Sequence, residues 1–346
     1  MNKPGENYSN AFTATLSGIR DLFRKQKDAV ILKDEDTLTD KKVLITGASS
    51  GLGFEAAVQL ARRGAHVIMA CRSGIPEKGD LVRTLSGNPH VEMIQVDLSD
   101  MESIIRLADK LKKSSLKPDI LICNAAVVPS KSRKTRQGLE EMFMVNYLAK
   151  YLFVRLLLEN DLLNMTSNRI PRIIFVSSES HRNPKSFDWG GFGKYREYAM
   201  GKTVELYGYY KLLLTTFANE LSRRLNSSGK TRLSVFVLCP GPVNSNIARE
   251  APVIFRPLLK IVFSIFFRSP EKAVEPILYF ACSPEVTGKS LDYLFLMSRK
   301  EMDLKATDAQ NGEKLWQYSE TVLESLGIVF KGPRHGMTRQ NSSPQS

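Results

Sequence analysis

The stretch Val43-Leu-Ile-Thr-Gly47-Ala-Ser-Ser-Gly51-Leu-Gly53 narrows the possible folds more than any other part of the chain. A short apolar run breaks into three glycines, and a helix-forming segment follows at once. Gly47 lets the chain leave a strand in a tight turn, Gly51 lets backbone approach a ligand, and Gly53 lets the helix pack close to a sheet. The alternation continues downstream. Apolar β-type runs stand at Val43–Ile45, His66–Ala70, Val91–Val96, Ile120–Cys123, Ile173–Val176 and Leu233–Leu238, with helical stretches at about 51–63, 100–113, 138–160 and 204–226 between them. Strands this apolar are buried on both faces, and the intervening helices are the crossovers of a parallel sheet. Right-handed crossovers predict an α/β fold, a doubly wound parallel sheet in a single domain.

The ends of the chain read differently. Residues 1–40 form a lead-in, with an amphipathic stretch from Phe12 to Phe23 and the charged linker Lys33-Asp-Glu-Asp36. Residues 41–330 are the expected domain, and the Ser-, Gly-, Pro- and Arg-containing residues 331–346 read as a disordered tail. With 42% hydrophobic and 25% charged residues, global disorder and fibrous repeats are excluded. Cys71, Cys123, Cys239 and Cys282 lie far apart without a C-x-x-C pair, so zinc-ribbon spacing is absent, no metal is expected, and a reducing compartment is indicated. No run of about 20 uncharged apolar residues is available to span a bilayer, and no signal-peptide pattern opens the chain. These features predict a protein on the cytoplasmic side, soluble or peripheral to a membrane. Lys and Arg number 49 against 36 Asp and Glu, and the net charge of +13 suits anionic partners such as nucleotide phosphates or lipid head groups. Nucleic acid is not expected, because neither zinc-finger spacing nor an RRM-type aromatic motif is present.

The glycine turn predicts a dinucleotide site, since a helix N-terminus presents free N–H groups and a positive dipole end to a diphosphate. The end of the second strand then selects the dinucleotide. A carboxylate there accepts from a ribose 2′-OH, but this chain reads Met69-Ala-Cys-Arg72. A guanidinium suits a 2′-phosphate that a carboxylate repels, so NADP is expected over NAD. At the end of the third strand, Asp97, followed by Leu98, can meet the adenine edge or cap the next helix. Asn124-Ala-Ala126 ends the fourth strand with small residues where backbone can pass close to a ribose.

Tyr207 and Lys211 open a strong helix and share one face at i, i+4 spacing. A nearby cation favours a phenolate, so Tyr207 can donate a proton to a carbonyl or take one from an alcohol. Lys211 can also bind cofactor hydroxyls. A rival pair, Tyr198 and Lys202, lies in a Gly-rich stretch that forms a poor helix. Ser177 and Ser178 end the fifth strand, where a hydroxyl can hydrogen-bond a reacting oxygen or merely cap a loop. Asn146, on an otherwise apolar helix, can anchor a water chain behind Lys211 or be a satisfied core amide.

Together these residues resemble the short-chain dehydrogenase/reductase superfamily over roughly residues 40–300. Thr46-Gly47-Ala-Ser49-Ser50-Gly51-Leu52-Gly53 matches its cofactor turn, Asp97-Leu98 its adenine contact, and Asn124-Ala125 part of its Asn-Asn-Ala-Gly motif. Asn146, Ser178, Tyr207 and Lys211 match its catalytic tetrad. Pro240-Gly241, with Val243 and Ser245, matches a Pro-Gly-x-x-x-Thr motif whose backbone meets the nicotinamide amide. The resemblance implies a Rossmann fold and an NADP(H)-dependent oxidoreductase. In it Tyr207 is the acid/base, Lys211 holds ribose and perturbs Tyr207, Ser178 orients the carbonyl, and Asn146 supports a proton relay. Within the superfamily, Cys123-Asn-Ala-Ala126, Ser177-Ser-Glu-Ser-His181 and the long stretch from Ser178 to Tyr207 are similar to retinol dehydrogenases, the WW-domain oxidoreductase and protochlorophyllide reductases. Cys123 and Ala126 depart from the family motif, and Ala149-Lys150 stands where that group often has Gly-His.

A segment near 244–268 resembles the family's substrate lid. Pro252 to Arg268 is very apolar, with Arg256, Lys260 and Arg268 interleaved. Such a wall suits an apolar, lipid-like carbonyl or alcohol (a retinoid, steroid or fatty aldehyde). A short apolar helix edged by cations equally suits a membrane interface, with core packing as the plain alternative. The family often dimerises through its long helices, which implies a homodimer here. A catalytically idle NADP-binding scaffold is the competing reading, and the complete tetrad argues against it.

Overall fold

The apolar runs pair side by side. A computed structural model describes residues 28–165, 169–241 and 269–330. Val243, Ser245, the lid at 244–268, the tail 331–346 and most of the lead-in lie outside the described residues. The strands are β1 (Lys42–Thr46), β2 (His66–Cys71), β3 (Val91–Gln95), β4 (Ile120–Cys123), β5 (Arg172–Val176), β6 (Ser234–Cys239), β7 (Leu291–Phe295) and β8 (Ser298–Arg299). They form one sheet in the order β3-β2-β1-β4-β5-β6-β7-β8. Every neighbouring pair is parallel except β7 and β8. The chain steps outward from β1 through β3 and then returns to lay β4 on the other side of β1, with Ile45 opposite Ile122. That reversal opens a crevice beyond the carboxyl ends of β1 and β4, where ligands bind in sheets of this kind.

The helices are α1 (Gly51–Arg62), α2 (Glu77–Ser86), α3 (Met101–Lys113), α4 (Glu141–Phe143), α5 (Ala149–Glu159), α6 (Met200–Leu225), α7 (Pro270–Ala273), α8 (Glu275–Cys282), α9 (Leu304–Thr307) and α10 (Ala309–Ser325). They cover both faces of the sheet. Buried side chains of α1, α7 and α8 pack with Val43, Ile45 and Phe236 on one side, and those of α3, α5, α6 and α10 pack with Leu44, Leu121 and Phe175 on the other. Phe236 and Phe280 stack at 4.5 Å between ring centroids. No helix among the described residues is long and apolar enough to cross a membrane.

Two departures from the sequence reading matter for the site. The helix expected over 138–160 is interrupted by a π-turn at Met144–Leu148, which joins α4 to α5. The long helix begins at Met200 rather than 204, so Tyr207 lies inside it rather than at its mouth. The sheet also gains β7 and β8, and α10 closes one face. Tyr147 and Ser319 share a hydrogen bond of 2.6 Å, and Glu320 accepts from Tyr151 Oη at 2.7 Å and Arg155 Nε at 3.0 Å. The Arg155 guanidinium, only 4% exposed, also lies over the Trp316 ring. Glu320→Ala leaves that buried cation without its carboxylate. We expect a loss of about 3 kcal/mol in unfolding free energy, since an uncompensated buried charge is costly. Urea denaturation measures it, and an unchanged midpoint would show that α10 is held by apolar contacts alone.

Candidate active site

At the crevice, backbone lies against backbone. Gly47 (φ +70°) and Gly51 (φ +56°) adopt left-handed conformations that other residues resist. A Cβ on Gly53 would lie 2.3 Å from the Gly47 carbonyl oxygen and 2.4 Å from Asn124 Nδ2. Asn124 Nδ2 donates to the carbonyls of Thr46 and Gly47, both at 3.1 Å, and the Asn124 N–H donates to Thr46 Oγ1 at 3.2 Å. Asn124 therefore commits its amide to holding the turn. Ser50 precedes α1 in extended backbone without a side-chain cap, and the first turn of α1 carries no acid. The amides of that turn are left to bind an anion, with the helix dipole favouring it. Glycines that a Cβ would block and an uncapped helix start fit a dinucleotide's diphosphate. Leu52 is buried behind the turn. Burial pushes the Cys71 thiol at the end of β2 up to about 11, against Ala48 and Ser49, which lower it.

Arg72, the next residue, is exposed at the crevice edge. Burial raises the Glu141 carboxyl there, against the charges of Arg133 and Arg72. Asp97 Oδ1 accepts from Ser99 N–H at 2.9 Å and from Ser99 Oγ at 2.7 Å. The residue that caps α3 is Asp100, which accepts from Glu102 N–H at 3.2 Å. Asp97 is thus a turn-former at the strand end, and Leu98 is buried beside it.

α6 carries the second half of the site past the ends of β5 and β6. The Lys211 ammonium lies 5.4 Å from the centre of the Tyr207 ring and donates to the Val176 carbonyl at 2.7 Å. Lys211 is 1% exposed. Burial, reinforced by the charge of Lys150, brings its ammonium down to about 7. Burial, together with Cys239, pushes the Tyr207 phenol up, while a hydrogen bond from Ser178 pulls it back. Burial therefore outweighs the lowering of the phenol that the i, i+4 lysine led us to expect. The two serines separate cleanly. Ser177 Oγ pairs with Thr215 Oγ1 at 2.8 Å in the buried layer, whereas Ser178 is the serine that favours loss of the Tyr207 proton. The rival Tyr198 precedes α6, and its hydroxyl donates to the buried Glu140 at 2.8 Å, so no helical turn joins it to Lys202.

Asn146 sits in the π-turn with no exposed surface. Its Oδ1 accepts from the Val127 N–H at 2.8 Å and its Nδ2 donates to the Val127 carbonyl at 2.9 Å. The side chain is a satisfied amide that clamps the π-turn to the chain leaving β4. Lys150, which the sequence marks only as a departure from the family pattern, proves to be a second buried ammonium. It donates to the carbonyls of Ala125 and Val145, both at 2.8 Å, and burial lowers it to about 8. A lysine in the apolar run from Met142 to Val154 was the signal that could have found it. Pro240 and Gly241 follow β6, with Gly241 at φ +77°.

Residues 41–188 match the family model described as short chain dehydrogenase. Retinol dehydrogenase 14 of Homo sapiens is 33% identical over 312 residues, an alignment spanning 85% of this chain and 89% of that protein. The WW domain-containing oxidoreductase of Gallus gallus is 34% identical over 306 residues, spanning 86% of this chain and 71% of that one. Among solved structures, an uncharacterized protein from Mycobacterium Paratuberculosis superposes with a TM-score of 0.64 at 28% identity, covering 86% of this chain and 98% of its own. With the doubly wound sheet and the crevice geometry already in place, these likenesses make the chain a retinol dehydrogenase-like member of the short-chain dehydrogenase/reductase family of nicotinamide-dependent oxidoreductases.

Proposed function

We propose that the chain is an NADP(H)-dependent oxidoreductase that interconverts an apolar, lipid-like carbonyl and its alcohol. The observation that carries the reading is the meeting of α6 with the carboxyl end of β5: the Lys211 ammonium lies 5.4 Å from the centre of the Tyr207 ring and donates to the carbonyl of Val176, two residues before Ser178. The turn at Gly47–Gly53 would hold the diphosphate, with the Ser49–Leu52 amides facing it. Arg72 would hold the 2′-phosphate, and Asp97 with Leu98 the adenine end. Asn124 keeps the turn in register, Lys211 would hold ribose, and Pro240-Gly241 with Val243 and Ser245 would meet the nicotinamide. The bound nicotinamide supplies or accepts the hydride.

The chain's own residues do the rest. Ser178 and Tyr207 present their hydroxyls to one substrate oxygen, Ser178 orienting it and Tyr207 giving it a proton in reduction or removing one in oxidation. Lys211 offsets part of the cost of its burial through the Val176 carbonyl and, when protonated, adds positive potential beneath the phenol. Asn146 holds the π-turn behind it. An apolar substrate is supported by the similarity to proteins named retinol dehydrogenase and by the apolar sequence from Pro252 to Arg268.

Three outcomes follow from this chemistry. Tyr207→Phe should lower kcat by more than about a hundredfold, as expected on loss of an acid/base, while NADPH affinity measured by fluorescence titration stays near that of the wild type. Retained turnover would reduce the chain to a cofactor-binding scaffold. Arg72→Glu should invert the ratio of kcat/KM for NADPH over NADH, because the new carboxylate repels a 2′-phosphate and accepts from a 2′-OH. A wild type that prefers NADH contradicts the assignment outright. The third outcome concerns pH. Lys211 ordinarily titrates at 10.5 and here at about 7, so folding favours its neutral form. Its contribution is complete above 10.5 and is lost as the pH falls through that interval to about 7. The stability of wild type relative to Lys211→Met should therefore rise from pH 7 to 10.5 in urea melts, and a flat difference would place the ammonium in water.

A further inference from the structure

We propose that Ser180 is a positioning residue that makes the Ser178 hydroxyl a dedicated donor to the reacting oxygen. The inference rests on the role given to Ser178 above and deepens it. A serine hydroxyl carries one proton and two lone pairs. Ser178 Oγ accepts from the Ser180 backbone N–H at 3.2 Å and from the Ser180 hydroxyl at 2.9 Å. Both of its acceptor positions are thereby filled by a single neighbour. The one proton that remains is left for the reacting oxygen, or for the Tyr207 phenol, whose proton loss Ser178 favours. A hydroxyl held this way has nothing with which to accept. It fits a carbonyl oxygen, or an alcohol oxygen whose own proton goes to Tyr207.

The rest of the turn keeps Ser180 in place. Ser178 opens the 3₁₀ turn Glu179–Arg182 from extended backbone, φ −157°. His181, fully buried, lies with Nδ1 2.7 Å from the Ser178 carbonyl and Nε2 3.3 Å from the Asp303 N–H. A backbone N–H can only donate, so Nε2 accepts and Nδ1 carries the proton that goes to Ser178. Glu179 accepts from Arg182 Nε at 3.1 Å, from Lys300 Nζ at 2.6 Å and from Tyr293 Oη, anchoring the turn to the edge of the sheet. On the other side stands Gly208, the residue after Tyr207. A Cβ there would lie 2.8 Å from the Ser180 carbonyl oxygen. The backbone of α6 therefore rests on the Ser180 peptide, and the acid/base and the turn that orients its partner are set by one contact.

The test compares Ser180→Ala and Ser180→Thr in the full chain, with Tyr207→Phe as control. The substrate is the best of a panel of retinal, a ketosteroid and a fatty aldehyde, with NADPH, and the matching alcohol is run in reverse. Ser180→Ala should lower kcat about five- to tenfold, the size expected for one hydrogen bond. Its KM for NADPH and its melting temperature should stay at wild-type values. The rising limb of alcohol oxidation should move to higher pH, because donation from Ser178 favours the phenolate and is now weakened. The other groups facing Tyr207, Lys211 on α6 and Cys239 on β6, are untouched, as is Lys150 behind Lys211. Ser180→Thr keeps the hydroxyl and should restore kcat and the pH limb. Wild-type kcat and pH limb in Ser180→Ala overturn this inference while leaving the proposed function standing, provided that Tyr207→Phe is inactive. A stably folded Ser180→Thr that behaves like the alanine variant overturns it too. A wild type inert toward the whole panel, or an active Tyr207→Phe, overturns the proposed function itself and this inference with it.

Discussion

Contact between two backbones at the sheet's reversal point governs this structure. The first turn and the end of β4 meet so closely that a single Cβ at Gly53 would lie within 2.4 Å of both the Gly47 carbonyl oxygen and Asn124 Nδ2. Interiors packed at crystal-like density cannot absorb such an overlap without moving one of the partners. The glycines therefore set how deeply the N-terminus of α1 sits in the crevice, and Asn124 locks that depth with two hydrogen bonds to the turn. The same contact fixes where the chain leaving β4 runs, and so where Val127 meets Asn146 and Ala125 meets Lys150. The glycine-turn end of the crevice and the end that carries Tyr207 and Lys211 are two consequences of one close approach.

A second constraint opposes the first kind of economy. Lys150 and Lys211 are both almost wholly buried, and backbone carbonyls rather than carboxylates accept from them. Two ammoniums in a poorly hydrated site oppose folding, since neutral dipoles offset only part of what water gave them. The π-turn eases the cost locally by leaving the Val145 carbonyl aimed at Lys150. A core built only for stability would place apolar side chains here. The arrangement makes sense where positive potential is wanted, beneath a phenol and close to a polyanionic ligand.

What the sequence disclosed and what it hid divide along physical lines. β1, β2, β4, β5 and β6 were legible because strands buried on both faces must be apolar, whereas β3, at the sheet's edge with Glu92 and Gln95 exposed, showed itself through Val91, Met93 and Ile94; Tyr207 with Lys211 was legible because i, i+4 spacing on a helix has one geometric meaning. Ser177 and Ser178 looked equivalent in the chain; only the placement of Thr215 on α6 takes the first away from the crevice. The π-turn was hidden because it shifts hydrogen bonding by one residue without changing composition. α10 was hidden for another reason. Its face is held by Trp316, Ser319 and Glu320 against tyrosines and an arginine of α5 and the π-turn, so its apolar stripe is thin. Asn146 read as polar and buried, but which backbone it serves depends on Val127, nineteen residues away in the chain.

The sheet's last strands show how a site can depend on elements that carry none of its chemistry. Burial alone would raise the Glu179 carboxyl, yet Arg182 and Lys300 outweigh it and bring the group down to about 2. Glu179 is therefore a fixed anion beside the serine that faces Tyr207, and its counter-charges come partly from Lys300, just past β8. The same stretch supplies Asp303, whose backbone N–H settles the orientation of His181. β7, β8 and the residues after them thus act as the rear support of the 3₁₀ turn, while α6 supports it from the front through Gly208. A charge held between a cation on its own turn and one just past the sheet's last strand resists displacement from either side. That resistance is what a hydroxyl needs if it is to meet a substrate oxygen with its proton already in place.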